Sequence, residues 1–128
     1  MCKILIADDS TLFRRSLRSC LEQNPELSVC GEAEDGRAAI DKFKELNPDV
    51  VILDWQMPGM DGLEAARHIT RLAPDALVAL LTLHSGPQIA KKAQAIGVQR
   101  VFSKADRLDQ LNDWLVAVCK RTATPASA

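Results

Sequence analysis

The chain has 128 residues, of which 47% are hydrophobic and 26% are charged. This length and composition are typical of one globular domain with a real core, and they leave no room for a second domain. The formal net charge is -1 at pH 7 and no run of Lys or Arg is present, so direct binding of nucleic acid by this domain is not expected.

Short apolar runs alternate with stretches of helical periodicity from the first residues onward. The runs predict five strands, at residues 3–7, 28–33, 50–53, 77–82 and 100–103. Pro25, Pro48 and Pro74 end the first three intervening helices, because the residue before a proline disfavours helical geometry. Ser85 and Pro87 suit the start of the fourth helix. This alternation predicts a parallel sheet with helices on both faces, an open doubly wound α/β sandwich.

Four of the apolar runs end on residues that can handle phosphate. They are Asp8 with Asp9, Asp54, Thr82 and Lys104, at the ends of the first, third, fourth and fifth runs. Because the carboxyl ends of parallel strands meet at one edge of a sheet, these residues are expected to share a pocket. Neighbouring carboxylates repel by about 4 kcal/mol per pair at 4 Å in a surface-like dielectric, which calls for a cation. An all-oxygen set of ligands suits Mg²⁺.

Asp54 is the candidate nucleophile, since a carboxylate beside a metal ion can attack a phosphoryl group and form an aspartyl phosphate. Lys104 is expected to neutralise one oxygen of that group, and Thr82 to donate a hydrogen bond to another. The alternative for Asp8 or Asp9 is capping of the first helix, although two adjacent acids exceed what a cap needs. For Lys104 alone, the alternative is an ordinary surface lysine.

The cysteines and the C-terminal residues give weaker signals. Cys2, Cys20, Cys30 and Cys119 are scattered, without CxxC or a histidine at ligand spacing, which favours reduced thiols over a zinc site or disulfide framework. No stretch approaches membrane-spanning length, so a cytoplasmic protein without membrane association is expected. Residues 122–128 are small and polar, which predicts a flexible tail or the start of a linker after a domain at 1–121.

These motifs resemble those of the receiver domains of two-component response regulators. The resemblance covers about residues 1–120 and rests on the segments ILIADD at 4–9 and LDWQMPGMDG at 53–62, followed by Thr82 and Lys104. It implies a flavodoxin-like (βα)5 fold, with a parallel five-stranded sheet of order 2-1-3-4-5. Met57, Pro58 and Gly59 would then form a loop at one wall of the site, with glycines giving the turn its freedom.

The same resemblance implies a signalling role. Asp54 would accept phosphate from a phosphohistidine on a sensor histidine kinase or phosphotransfer protein. The domain would then be a phosphorylation-dependent switch, not an enzyme, that assists its own Mg²⁺-dependent phosphorylation and dephosphorylation. The Mg²⁺ ligands would be Asp8, Asp9, Asp54 and the backbone carbonyl of Gln56.

Output would be read on the face of the fourth helix, fifth strand and fifth helix, which carries Lys91, Lys92, Arg100 and Arg107. The resemblance is greatest to receivers attached to helix-turn-helix transcription regulators, so a DNA-binding output domain beyond residue 128 is one expectation. A homodimer formed on phosphorylation is another, and a single-domain shuttle protein is the alternative.

Some positions depart from the family pattern. Val101 stands where an aromatic switch residue is common, and Phe102 should point to the opposite face of its strand. Leu83 is bulkier than the small residue usual there. The hypothesis is that Leu83, Gln56 and His84 screen the acyl phosphate from water and lengthen its life, while His84 as a general base competes with an ordinary loop histidine.

Two other classes of protein compete with the signalling switch. Haloacid-dehalogenase-like phosphatases also form an aspartyl phosphate but need a second Asp two residues after the nucleophile, where this chain has Gln56. That difference argues against a turnover phosphatase. The second class is a phosphorylation-independent receiver-like interaction module, which only the loss of the aromatic residue at Val101 favours.

Overall fold

The structure, a computed structural model, describes residues 2–83, 86–104 and 108–123, with side chains described as far as Lys120. The strands are β1 (Cys2–Ala7), β2 (Leu27–Ala33), β3 (Val50–Asp54), β4 (Leu77–Thr82) and β5 (Arg100–Ser103). The helices are α1 (Thr11–Leu21), α2 (Gly36–Leu46), α3 (Gly62–Leu72), α4 (Pro87–Ala95) and α5 (Asp109–Ala123). Each predicted strand is found with its ends within one residue of the prediction.

The helix ends agree with most of the sequence signals. Asn47 ends α2 in the left-handed conformation just before Pro48, and Ala73 follows α3 just before Pro74. Pro87 begins α4 with Gly86 as its N-cap, while the predicted contribution of Ser85 lies outside the described residues. The last helix reaches Ala123, so it includes two residues that the sequence assigned to the tail. Of the helices in the described ranges, none combines the length and hydrophobicity needed to cross a membrane.

The five strands form one parallel sheet in the order β2-β1-β3-β4-β5. This confirms the predicted flavodoxin-like architecture. After β1 the chain moves outward to β2, and then returns past β1 to begin the other half of the sheet at β3. Ligands of such sheets bind beyond the carboxyl ends of the strands at this switch point. The fold therefore places the ends of β1 and β3 side by side at the predicted pocket.

The core has two layers because side chains alternate between the faces of each strand. One cluster packs between the sheet and helices α1 and α5, and includes Ile4, Ile52 and Leu115. The other packs between the sheet and helices α2, α3 and α4. Phe102 belongs to the first cluster, whereas Val101 packs against the second. The predicted opposite orientation of these two side chains is confirmed.

A disulfide bond joins the first strand to the last helix. Cys2 and Cys119 are bonded with an S–S distance of 2.06 Å, while Cys20 and Cys30 are free. The expectation that all four cysteines are reduced is therefore wrong for this pair. The two residues are 117 positions apart, so no local spacing signals the bond. They meet because α5 packs over β1, near the position where β1 begins.

Reducing the Cys2–Cys119 bond is expected to lower the free energy of unfolding. The bond closes a loop with a sequence separation of 117 residues in the unfolded chain, and loss of such a bond typically costs about 2–5 kcal/mol. Urea denaturation with and without a thiol reductant measures the effect. The reductant should destabilise the Cys30→Ala control as it does the wild-type protein, and should not affect Cys119→Ala. An unchanged wild-type midpoint in reductant would contradict the prediction.

Candidate functional site

One ammonium group joins two buried carboxylates at the carboxyl edge of the sheet. Asp8 follows β1, Asp54 ends β3, and Lys104 follows β5. The Nζ atom of Lys104 lies 2.7 Å from Oδ2 of Asp8 and 3.3 Å from Oδ2 of Asp54. The Lys104 side chain is only 13% exposed, and both carboxylates are buried. The structure thus brings together three of the predicted site residues as a buried ion pair network.

The predicted acidic cluster is also present. Asp8, Asp9 and Asp54 each offer a carboxylate oxygen, and these oxygens lie within 4.8 Å of one another. Asp9 is exposed, so the cluster is open to solvent on that side. Gln56 lies two residues after Asp54 in the loop that follows β3, and its side chain is exposed. The donor set is made of hard oxygens, which fits Mg²⁺ with part of its water shell retained.

Hydrogen bonds fix Asp8 from several directions. The backbone N–H of Ser10 donates to Oδ1 of Asp8 at 2.8 Å, and the guanidinium of Arg14 donates to the Asp8 carbonyl oxygen at 2.5 Å. Ser10 is the N-cap of α1, and its Oγ accepts a hydrogen bond from the N–H of Phe13 at 3.2 Å. The alternative that Asp8 or Asp9 caps this helix is therefore wrong, which leaves both carboxylates for the pocket.

Arg14 belongs to an ion-pair network that the sequence did not reveal. Its Nε donates to Glu32 on β2 at 3.0 Å, and Arg18 donates to the other Glu32 oxygen at 2.7 Å. Burial favours a higher pKa for Glu32, but the hydrogen bonds from Arg18 and Arg14 outweigh it and lower the pKa. The four-residue spacing of the arginines places them on one helix face, which was the available signal. The network ties α1 to β2 beneath the Asp8 loop.

The loop after β3 depends on two glycines for different reasons. Gly59 has a φ of +77°, which favours glycine because it has no Cβ. A Cβ at Gly62 would collide with the carbonyl oxygen of Asp54. The N–H of Gly62 also donates to the Trp55 carbonyl oxygen at 2.7 Å. The predicted conformational freedom thus applies to Gly59, whereas Gly62 is needed for the close approach of α3 to the end of β3 at Asp54.

Thr82 lies at the same edge of the sheet as the acidic cluster. It is the last residue of β4 and is buried. The backbone N–H of Lys104 donates to the Thr82 carbonyl oxygen at 2.8 Å, which fixes the start of the Lys104 side chain beside β4. Since β4 pairs with β3 through Asp54 and Leu81, Thr82 is one residue beyond the partner of Asp54.

The positions that depart from the family pattern have different surroundings. Leu83 is 60% exposed, and its shielding of an acyl phosphate stays a prediction. His84 lies outside the described residues. Val101, which stands at the position of the family's aromatic switch residue, is half-buried and packs against α4.

The charges in this pocket shift two pKa values. Burial raises the pKa of Asp54, the charge of Asp8 raises it further, and Lys104 only partly opposes these effects. Burial lowers the pKa of Lys104, but the hydrogen bond to Asp8 and the charge of Asp54 outweigh it, so the pKa is raised. Lys104 therefore remains an ammonium. The charged form of Asp54 is less favourable than that of an ordinary Asp, and a further cation beside it would favour this form.

In the metal-free protein, Asp54→Asn is expected to raise the free energy of unfolding at neutral pH. The pKa of Asp54 is higher in the folded than in the unfolded protein, so its ionisation opposes folding above the folded-state pKa. The difference should shrink as the pH falls and the folded wild-type protein takes up this proton. Urea denaturation in the presence of a chelator, at neutral and acidic pH, measures it. Asp41→Asn on the exposed side of α2 is the control, and a less stable Asp54→Asn protein at neutral pH would contradict the prediction.

Comparison with solved structures finds the same fold. A two-component response regulator of the LuxR family from Aurantimonas sp. SI85-9A1 is 30% identical with a TM-score of 0.89, over 94% of this chain and 86% of that one. The response regulator domain of Thermotoga maritima CheB is 28% identical with a TM-score of 0.82, over 98% of this chain and 99% of that one.

Comparison of sequences agrees with the structures. The family model of the response regulator receiver domain matches residues 4–115. A protein-glutamate methylesterase/protein-glutamine glutaminase 2 of Carboxydothermus hydrogenoformans is 39% identical over 105 residues, which are 81% of this chain and 30% of that protein. A relative of similar name from Pyrococcus horikoshii is 35% identical over an alignment of 127 positions, which covers 94% of this chain and 34% of that protein. The chain thus spans about a third of the length of these curated relatives.

Proposed function

Because this chain belongs to the family of response regulator receiver domains, we propose that Asp54 accepts a phosphoryl group and that the domain is a phosphorylation-dependent switch. The observation that carries this proposal is the buried Asp54 carboxylate beside Asp8, Asp9 and Lys104 at one edge of the sheet. The role is that of a signalling domain in a two-component system, and the domain itself is not a turnover enzyme.

The pocket groups suit in-line attack on a phosphohistidine. An oxygen of Asp54 bonds to phosphorus while the bond from phosphorus to the imidazole nitrogen breaks, and the leaving imidazole takes a proton from solvent. Asp54 becomes an acyl phosphate. Lys104, 3.3 Å from Oδ2 of Asp54, is near enough to transfer its interaction to a phosphoryl oxygen. The hydroxyl of Thr82 donates to another oxygen of the same group.

The acidic cluster gives this reaction a place for Mg²⁺. When bound, Mg²⁺ neutralises the carboxylates and the phosphoryl oxygens that approach them. The carboxylates of Asp8, Asp9 and Asp54 would hold it together with the backbone carbonyl of Gln56. Support for this set comes from the close spacing of the three carboxylates and from the raised pKa of Asp54, which a nearby cation would reverse.

The wild-type protein is expected to gain one phosphoryl group when incubated with acetyl phosphate and Mg²⁺. Intact-mass spectrometry measures the adduct. Asp54→Asn and a chelator should each abolish it, because one removes the acceptor and the other removes the metal. Asp75→Asn, an exposed acid outside the pocket, should leave it intact. No adduct from acetyl phosphate or from a phosphohistidine donor would favour the phosphorylation-independent interaction module.

An exposed leucine beside the pocket suits a protein phosphodonor. Leu12 lies in the first turn of α1, three residues after Asp9, and is 76% exposed. Apolar side chains at the centre of an interface contribute most when a partner covers them. We therefore assign Leu12 to contact with the sensor histidine kinase or phosphotransfer protein that carries the phosphohistidine. We also propose the cytoplasm as the location of the domain, as expected from the sequence.

Leu12→Gln is expected to slow phosphotransfer from a histidine kinase that phosphorylates the wild-type protein by roughly tenfold, the effect of losing one apolar interface contact. Phosphorylation by acetyl phosphate should stay within about twofold, because this small donor needs no docking surface. Transfer of labelled phosphate and intact mass measure the two rates. Leu72→Gln, 53% exposed at the end of α3 far from the pocket edge, is the matched control. Equal slowing with both donors would contradict a docking role.

We assign the output surface to α4, β5 and α5. Lys91, Lys92 and Arg100 are exposed there, while Arg107 lies outside the described residues. The names of similar proteins indicate different outputs. One is a DNA-binding response regulator of the LuxR family from Staphylococcus aureus, and others are the methylesterases described above. A DNA-binding output, expected from the sequence, agrees with the first of these. Phosphorylation would change this surface and with it the contacts to an output domain or to a second copy of the chain.

A further inference from the structure

The ammonium of Lys104 has a third neighbour besides Asp8 and Asp54. Its Nζ atom lies 4.2 Å from the centre of the Phe13 ring. A ring face attracts a cation within about 6 Å of its centre. We propose that Phe13 is a positioning residue that keeps the Lys104 ammonium in the pocket while it exchanges carboxylate partners for a phosphoryl oxygen. This inference rests on the proposed phosphorylation of Asp54.

The position of Phe13 is set by its own backbone and by the core. Its N–H donates to the Oγ of Ser10, the N-cap of α1, so the residue is held in the first turn of the helix. The half-buried side chain packs against the core cluster between the sheet and helices α1 and α5. The ring is thus held by the core, and its face is next to the ammonium.

In the proposed reaction, the contact between Phe13 and Lys104 would hold the ammonium while its other partners change. Lys104 has a flexible four-carbon stem, and in the resting pocket two carboxylates hold its end. Phosphorylation converts Asp54 to an acyl phosphate, and the oxygens of Asp8 would be shared with a bound Mg²⁺. Both partners of the ammonium are therefore withdrawn or shared during the reaction. A phenyl ring neither takes up protons nor binds Mg²⁺, so its attraction for the ammonium persists throughout.

The alternative is that Phe13 only fills space in the core, and two substitutions distinguish these roles. Phe13→Leu keeps an apolar side chain but removes the ring face, whereas Phe13→Tyr keeps the ring face. Phe43→Leu is a matched control, because Phe43 is a buried phenylalanine of α2 on the opposite side of the sheet. If Phe13 only fills space, none of these three substitutions should change the surroundings of the Lys104 ammonium.

The direct measurement is the NMR shift of the ε protons of Lys104, assigned by their absence in Lys104→Met. A ring face moves nearby protons upfield, so these protons should be shifted in the wild-type protein and in Phe13→Tyr. The shift should be lost in Phe13→Leu and kept in Phe43→Leu. Equal shifts in the wild-type protein and Phe13→Leu would overturn the proposal, and this result needs no phosphorylation.

The functional measurement is the rate of phosphorylation by acetyl phosphate, at a temperature where all variants are folded. Phe13→Leu should be roughly two- to fivefold slower, the factor that corresponds to the lower end of the range for a cation–ring contact. Phe13→Tyr and Phe43→Leu should match the wild-type protein. A Phe13→Leu rate equal to wild type, or a Phe13→Tyr rate as low as that of Phe13→Leu, would overturn the proposal. A wild-type protein that accepts no phosphate would refute the proposed function, and the proton shift would still decide whether the ring contacts the ammonium.

Discussion

The attraction between one buried ammonium and two buried carboxylates is the constraint on which the rest of the structure depends. Removing either partner of the buried pair Asp8–Lys104 would leave one charge unpaired, which typically costs about 3–5 kcal/mol, so these two groups must meet. In the sheet, β3 and β4 lie between β1 and β5. Neighbouring strands are about 4.8 Å apart, so the pairing needs a side chain as long as lysine. The hydrogen bond from the backbone N–H of Lys104 to the Thr82 carbonyl oxygen fixes the backbone position from which that side chain extends.

The same constraint leaves the pocket short of positive charge. Three carboxylates gather at this edge, and one ammonium faces two of them. Burial and this imbalance together raise the pKa of Asp54, and the excess of carboxylates makes the edge attractive to a divalent cation. In the proposed function, a bound cation would offset the negative charge of a phosphoryl group that approaches Asp54. Metal binding, nucleophile ionisation and phosphoryl transfer are therefore linked by charge in the proposed function.

The sequence predicted the strands and the pocket well because both leave local signals. Central strands buried on two faces appear as continuous apolar runs, and their order in the chain places Asp8, Asp54 and Lys104 at one edge. Contacts between distant elements leave no such signal. The bond between Cys2 and Cys119 depends on α5 packing over β1, and the pairing of Glu32 with the α1 arginines depends on the contact of α1 with β2. An arginine pair at helical spacing is as typical of a solvated face as of an ion-pair network.

The bond between Cys2 and Cys119 has a mechanical consequence. Cys2 is the first residue of a central strand, while Cys119 lies near the end of the last helix. A pull on the chain after Cys119 passes through the bond directly to β1 and bypasses the elements between them. The force then acts along a strand that is hydrogen-bonded on both sides, to β2 and to β3. With the bond formed, tension from a following segment can detach only the part of α5 that follows Cys119. With the bond reduced, the same tension can detach the whole helix.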